Sequence, residues 1–135
     1  MFKIGTLVKI YSLLLLVMLN SCATSNIAVN TGIEEVTFGS GGGFTGVVTT
    51  YKLIACGKVF EKNTELKKVS SKKTFELFKQ AKVLKDLDFN RPDNLYRFIE
   101  IKTKEKTNRI VWSFGSMEID KNALELYDSL ISNTK

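Results

Sequence analysis

The chain has 135 residues, with 20 lysines and arginines against 14 aspartates and glutamates, a formal charge of +6, one proline, two cysteines and no histidine. That length suits one modest domain. The missing histidine removes the commonest general base, the commonest zinc ligand and every Ser-His or Cys-His nucleophile pair, and two cysteines are too few for a disulfide framework.

At the amino terminus Lys3 and Lys9 precede the apolar run Ile10 to Leu19, and Asn20, Ser21 and Cys22 follow. A basic start, an apolar stretch too short to span a bilayer and a small residue before the cut are the marks of an export signal. Leu19, Ser21 and Cys22 resemble the lipobox of bacterial lipoproteins; Asn20 departs from that pattern, at a position that usually carries a small or β-branched residue. The resemblance implies cleavage after residue 21, a diacylglycerol on the Cys22 sulfur and an acyl chain on its new amino terminus. Two or more such chains anchor stably where one binds only marginally.

Removing residues 1–21 leaves 114 residues with 18 basic and 14 acidic side chains (135 minus 21; 20 minus Lys3 and Lys9), a charge of +4. Residues 22–31 carry no charge and little periodicity, and they are predicted to be a tether between lipid and fold; residues 32–135 are then the single domain. In Bacteroidota-type lipoproteins an acidic cluster just after the cysteine resembles a signal for surface display. None follows Cys22, so the resemblance implies the periplasmic face of the outer membrane.

The folded part is predicted to open with a strand from Ile33 to Phe38, to break at Gly39-Ser40-Gly41-Gly42-Gly43, and to resume through the alternating set Val47, Thr49, Tyr51, Leu53 and Ala55. Cys56-Gly57 reads as a two-residue hairpin turn leading to Val59 and Phe60. With Cys22 acylated, Cys56 would be an exposed thiol on that turn, which allows a dimer through Cys56 in an oxidising compartment. After a polar break at Asn63-Thr64 comes an extended piece around Leu66 to Val69. Ser70 or Ser71 then caps a helix through about Asp86, with Phe75, Leu77, Phe78, Ala81 and Leu84 as its apolar stripe.

The stretch Asp88 to Asn94 reads as a loop, followed by a strand from Leu95 to Lys102 and a polar connection over Lys104 to Asn108. In the next strand, Arg109 to Phe114, the residues Ile110, Trp112 and Phe114 fall on one face. Gly115 and Ser116 interrupt, and a final helix begins after Asp120 as N-cap, with Ala123, Leu124, Tyr127, Leu130 and Ile131 at helical spacing. The order β-β-β-(β)-α-β-β-α predicts an α+β fold, an antiparallel sheet of five to six strands with two helices packed on one face.

The run from Val36 to Gly46, with Tyr51, Cys56-Gly57-Lys58-Val59-Phe60 and Phe98-Ile99-Glu100, resembles a group of small Bacteroidota lipoproteins over most of residues 35–114. The resemblance implies lipid anchoring and carries no activity with it; the Asn-Gly or Asp-Gly hairpin usual in that group is Cys56-Gly57 here.

Gly39 to Gly46 leads into a strand and lacks the Gly-Lys-Ser/Thr of a phosphate loop, so it does not fit a nucleotide cradle. Its glycines either supply positive φ, a bulge or close strand approach, or they present Ser40, Gly41, Gly42, Gly43, Phe44 and Thr45 as a partner-binding loop tipped by Phe44. The lysines between Lys67 and Lys85 read as a solvated helix face and a lysine-defended edge strand, or as an attraction for anionic headgroups or an acidic partner. Asp86, Asp88 and Asp93, with Asn90 and Asn94, lack the spacing of a calcium loop. Glu34 and Glu35 read as solvated strand-edge charges, and Trp112, Phe98 and Tyr127 as core. The expectation is a non-enzymatic, lipid-anchored interaction module for an envelope protein, with no cofactor, no metal and no nucleic acid. The alternatives are an inhibitor-like module blocking an exported hydrolase, or a small-ligand carrier, for which two short helices on a sheet leave little volume.

Overall fold

Alternation of apolar residues builds most of the sheet. A computed structural model describes residues 25–135, so the predicted signal, the acylation position Cys22 and the residues joining it to Ser25 lie outside the described residues. The strands are β1 (Ile33–Gly42), β2 (Thr49–Ile54), β3 (Lys58–Glu61), β4 (Thr64–Lys68), β5 (Asn90–Arg91), β6 (Leu95–Thr103) and β7 (Thr107–Ser113). The helices are α1 (Asn26–Thr31), α2 (Ser71–Leu84) and α3 (Lys121–Ser132). One seven-stranded sheet has the order β4-β3-β2-β1-β6-β7-β5.

The α+β class stands, whereas the predicted strand count, strictly antiparallel pairing and two helices are corrected. β5 is two residues of the expected 88–94 loop, pairing parallel with β7 as Asn90↔Val111 and Arg91↔Trp112. A pairing that short has no period to detect. α1 replaces most of the expected tether: Ser25 Oγ donates to Ala55 O at 2.9 Å, Thr31 is buried, and Ile27 and Ala28 pack on the core. Gly32, at φ 73°, ends α1 in the left-handed conformation.

Phe38, Leu53, Ile99 and Trp112 from the sheet share one core with Leu77 and Phe78 of α2 and Leu126 and Tyr127 of α3. Trp112 meets Tyr127 edge-on, with ring centroids 5.3 Å apart, a favoured aromatic geometry. Ser70 caps α2 by accepting from Lys73 N at 3.2 Å, and Asp120 caps α3 by accepting from Asn122 N at 2.7 Å. The buried stripe of α2 is Thr74, Leu77, Phe78, Ala81 and Leu84, and Phe75, expected inside, is exposed. It sits one residue, about 100° of helix, off the stripe.

Three further expectations change. Phe114 is exposed because β7 ends at Ser113 and the Phe114 N–H donates to Leu95 O. Glu34 and Glu35 belong to a central strand and are half-buried beside a register shift between Ile33 and Glu35. The hairpin after β2 has three connecting residues, Ala55 to Gly57, with Gly57 N donating to Ile54 O and Gly57 at φ 90°.

The glycine run is not a break. β1 continues through Gly42, paired with β2 as far as Ser40 and with β6 as far as Gly42. A Cβ on Gly39 would run into the Thr49 carbonyl and the Phe98 ring, and one on Gly41 into Tyr96 and Val48. Glycine is required there by close approach, not by φ. Gly39→Ala should lower the unfolding free energy by about 3 kcal/mol through overpacking. Gly46→Ala, at φ 63° in open space, should cost only about 1 kcal/mol of left-handed strain; urea unfolding of the two variants checks the order.

Candidate functional site

Gly42 pairs with Leu95 and Tyr96 with Ser113, so β1, β6 and β7 share one end of the sheet. Beyond it, Gly42, Gly43 and Gly46 take φ of 91°, 79° and 63°. Gly43 N donates to Asn94 O at 2.8 Å and Gly46 N to Gly43 O at 3.2 Å. These left-handed residues turn the chain sharply and leave Phe44 fully exposed at the tip, with Val47 and Val48 behind it.

The loop is not isolated. A Cβ at Gly43 would lie 3.1 Å from a Leu95 methyl, and Leu95 O accepts from Phe114 N at 2.8 Å. Leu95 therefore links the glycine loop to the turn after β7, where Phe114 and Met117 are exposed. The Arg97 guanidinium lies 4.0 Å from the Phe114 ring centroid and 5.2 Å from that of Tyr127, so a cation–π contact supports Phe114 from behind. Arg91 pairs with Glu118 at 2.6 Å and ties the same turn to β5. Exposed apolar side chains gathered in one place mark an interaction site more than scattered ones do.

Of the predicted loop residues, Gly43, Phe44 and Thr45 are at this tip. Ser40, Gly41 and Gly42 lie in β1, with Gly41 buried and Ser40 half-buried. Sequence reasoning missed Leu95, Phe114 and Met117, the first two because they continue strand alternation. The one signal for Phe114 was Gly115 directly after it.

Burial pushes the Tyr127 phenol above its usual value, while Arg97 and a hydrogen bond with Ser40 pull it down. Asp86 is held below the usual carboxylate range by a hydrogen bond from Lys106 Nζ, helped by the charges of Lys106 and Lys85. Asp93 instead accepts from its neighbour Asn94 N at 2.7 Å. Among the described residues no group of three or more His, Cys, Asp or Glu stands close enough to hold a metal ion.

At the opposite end of β1 a cleft of about 510 Å³ opens between α1, the β2–β3 turn, the end of α2 and the β6–β7 turn, with Ser25, Glu34, Cys56, Lys85 and Lys106 among its walls. The expectation of little cavity volume is thereby corrected. Cys56 is half-buried in this wall, where the sequence predicted an exposed residue on the turn. No helix among the described residues is long and apolar enough to cross a membrane. Nine residue steps from Ile33 to Gly42, at roughly 3.3 Å each, set the cleft and the apolar tip about 30 Å apart.

Two outcomes follow from this geometry. Phe44→Ser and Met117→Ser should each change stability by no more than about 0.5 kcal/mol, because both side chains are exposed; thermal unfolding checks this. Phenolate absorbance followed with rising pH should place Tyr127 above the ordinary tyrosine value, and Arg97→Gln should raise it further. A phenol raised in the fold contributes stability that is complete below its unfolded pKa and is lost as pH climbs through the folded value. No family model and no curated protein matches this chain.

Proposed function

We propose that the protein is a lipid-anchored envelope lipoprotein acting as a non-enzymatic protein-interaction module, held by acyl chains on Cys22 at the periplasmic face of the outer membrane. Its contact surface is the apolar row formed by Phe44, Val47, Leu95, Phe114 and Met117. The observation that carries this reading is the placement of that row. It lies about 30 Å along β1 from the end where Ser25 enters. An apolar tip beside the anchor would have lipid as its natural occupant. At this separation an apolar recess on a second protein fits better, and aromatic residues and methionine are the types enriched in such contacts. The left-handed glycines allow the tip to adapt, at the cost of ordering it on binding.

The inhibitor-like reading uses the same tip, with Phe44 entering the cleft of an exported hydrolase. The cleft near Ser25 favours a second reading, small-ligand carriage, because its volume falls in the usual range for such sites. Affinity capture of the lipidated protein from its own envelope, compared with a Phe44→Asp, Phe114→Asp variant, separates these. Loss of a specific partner by about thirtyfold, the scale of a hot-spot residue, is the expected result, with circular dichroism unchanged. Equal recovery from both proteins would overturn the interaction surface. A captured hydrolase silenced at one-to-one stoichiometry would select the inhibitor reading, and a small molecule released from the purified protein in native mass spectrometry would select the carrier.

A further inference from the structure

α2 crosses the end of the molecule that holds Ser25. Its first turn lies against the β2–β3 turn, where Gly57 approaches Thr74 and Val69 N donates to Gly57 O. Its last turn reaches the β6–β7 turn, where Asn108 donates to Leu84 O and Leu87 O and Lys106 pairs with Asp86. Both turns flank the start of β1, as the pairings Glu35↔Ile54 and Ile33↔Thr103 require.

Along α2 the exposed positions include Lys72, Lys79 and Lys82, and Glu76 is its one acid. Lys85 caps the helix and, with Lys104 and Lys106, lines the cleft beside Ser25. Two exposed apolar side chains, Val83 on α2 and Val29 on α1, stand on the same two helices. Lys72, Lys79, Lys82 and Lys104 stand outside the ion pairs of the described residues, while Lys85 and Lys106 share Asp86. These four lysines therefore stand at the end where the chain leads back to Cys22, with Glu76 the one acid on α2.

We infer that this lysine-bearing end is a membrane contact for the headgroups of an anionic leaflet, which stands the domain with its apolar row pointing away from the bilayer. The inference rests on the lipid-anchor reading. Three residue steps join Cys22 to Ser25, and they span at most about 11 Å. That reach is close to the Debye length of about 8 Å at physiological salt, so anchored acyl chains hold the lysines where headgroup charge is felt. The docking of α1 is what makes the link short; a ten-residue free tether would have let the domain drift beyond that range. An acidic protein would also satisfy the charge, but the short link places lipid, not protein, nearest these lysines. Each lysine at an anionic surface adds about a fivefold factor to binding.

The test uses the full, natively processed protein floated with vesicles of phosphatidylcholine alone or mixed with phosphatidylglycerol, with amine-reactive labelling read lysine by lysine. The protein should float with both. Labelling of Lys79, Lys82 and Lys104 should fall by about fivefold on the anionic vesicles alone and recover in high salt, while Lys62 and Lys121 are unchanged. A Lys79→Gln, Lys82→Gln, Lys104→Gln variant should still float but leave Lys72 unprotected. Flotation with uniform labelling overturns the inference and leaves the anchor intact. Flotation with anionic vesicles only supports the lysine contact and overturns the anchor, and no flotation with either overturns both. Protection of these lysines in native envelope but not on anionic vesicles assigns the surface to an acidic protein and overturns the lipid contact.

Discussion

β1 has partners on both sides for most of its length, β2 on one and β6 on the other, and the rest of the domain depends on that double pairing. A central strand must satisfy two rows of backbone groups while keeping its side chains within the space its neighbours leave. Toward the helices it contributes Val36 and Phe38, both buried. On the other face, Gly39 sits opposite Phe98 and Gly41 opposite Tyr96, so two aromatic rings from β6 occupy the space that side chains of β1 would need. The close approach that excludes a Cβ at Gly39 is the same approach that fixes the register of β6, and through β6 that of β7 and Trp112.

The two ends of β1 differ because of what the strand does on leaving the sheet. At Gly42 its partner β2 has already turned away, and left-handed glycines carry the chain out to Phe44 and back. The side chains at this end have no layer above them, which is why Leu95 and Phe114, both set by strand alternation, finish exposed. At Ile33 the sheet is closed by α1 and α2, and the cleft, with Lys85, Lys104 and Lys106 in its walls, follows from that closure. The two ends of the strand thus differ, an uncovered apolar tip at one and a cleft beneath α1 and α2 at the other. No single side chain makes it so.

Electrostatics adds little to the stability of either end. Its ion pairs are surface pairs, such as Lys58 with Glu65 at 3.8 Å and Lys121 with Glu125 at 3.5 Å, and such pairs are worth little in water and salt. Cohesion comes from the core beneath the helices, where Trp112 and Tyr127 meet edge-on and Phe78, Leu77 and Ile99 fill the space between sheet and helices. The charges act outward, on whatever approaches the surface, more than inward on the fold.

The caps at Ser70 and Asp120, the stripes of the two long helices and the alternation in β2, β6 and β7 were legible in the sequence because each is a local property: a period, or an oxygen placed to accept from the first helical turn. The glycine run was half legible. Its composition announced unusual backbone, and only the pairing on both sides shows that Gly39 and Gly41 answer close approach while Gly42, Gly43 and Gly46 answer a turn. α1 was hidden because six uncharged residues have too little length for a period, and their helix is held by the Ser25 bond to Ala55, thirty residues away. β5 was hidden for the same reason. The candidate surface was legible at Phe44 and not at Leu95, Phe114 or Met117, since an exposed strand end and a buried strand interior carry the same alternating residues. The sequence by itself determined the longer elements and most of their inward faces. Tertiary structure decided which ends of those elements remain uncovered, because that depends on where neighbouring strands stop.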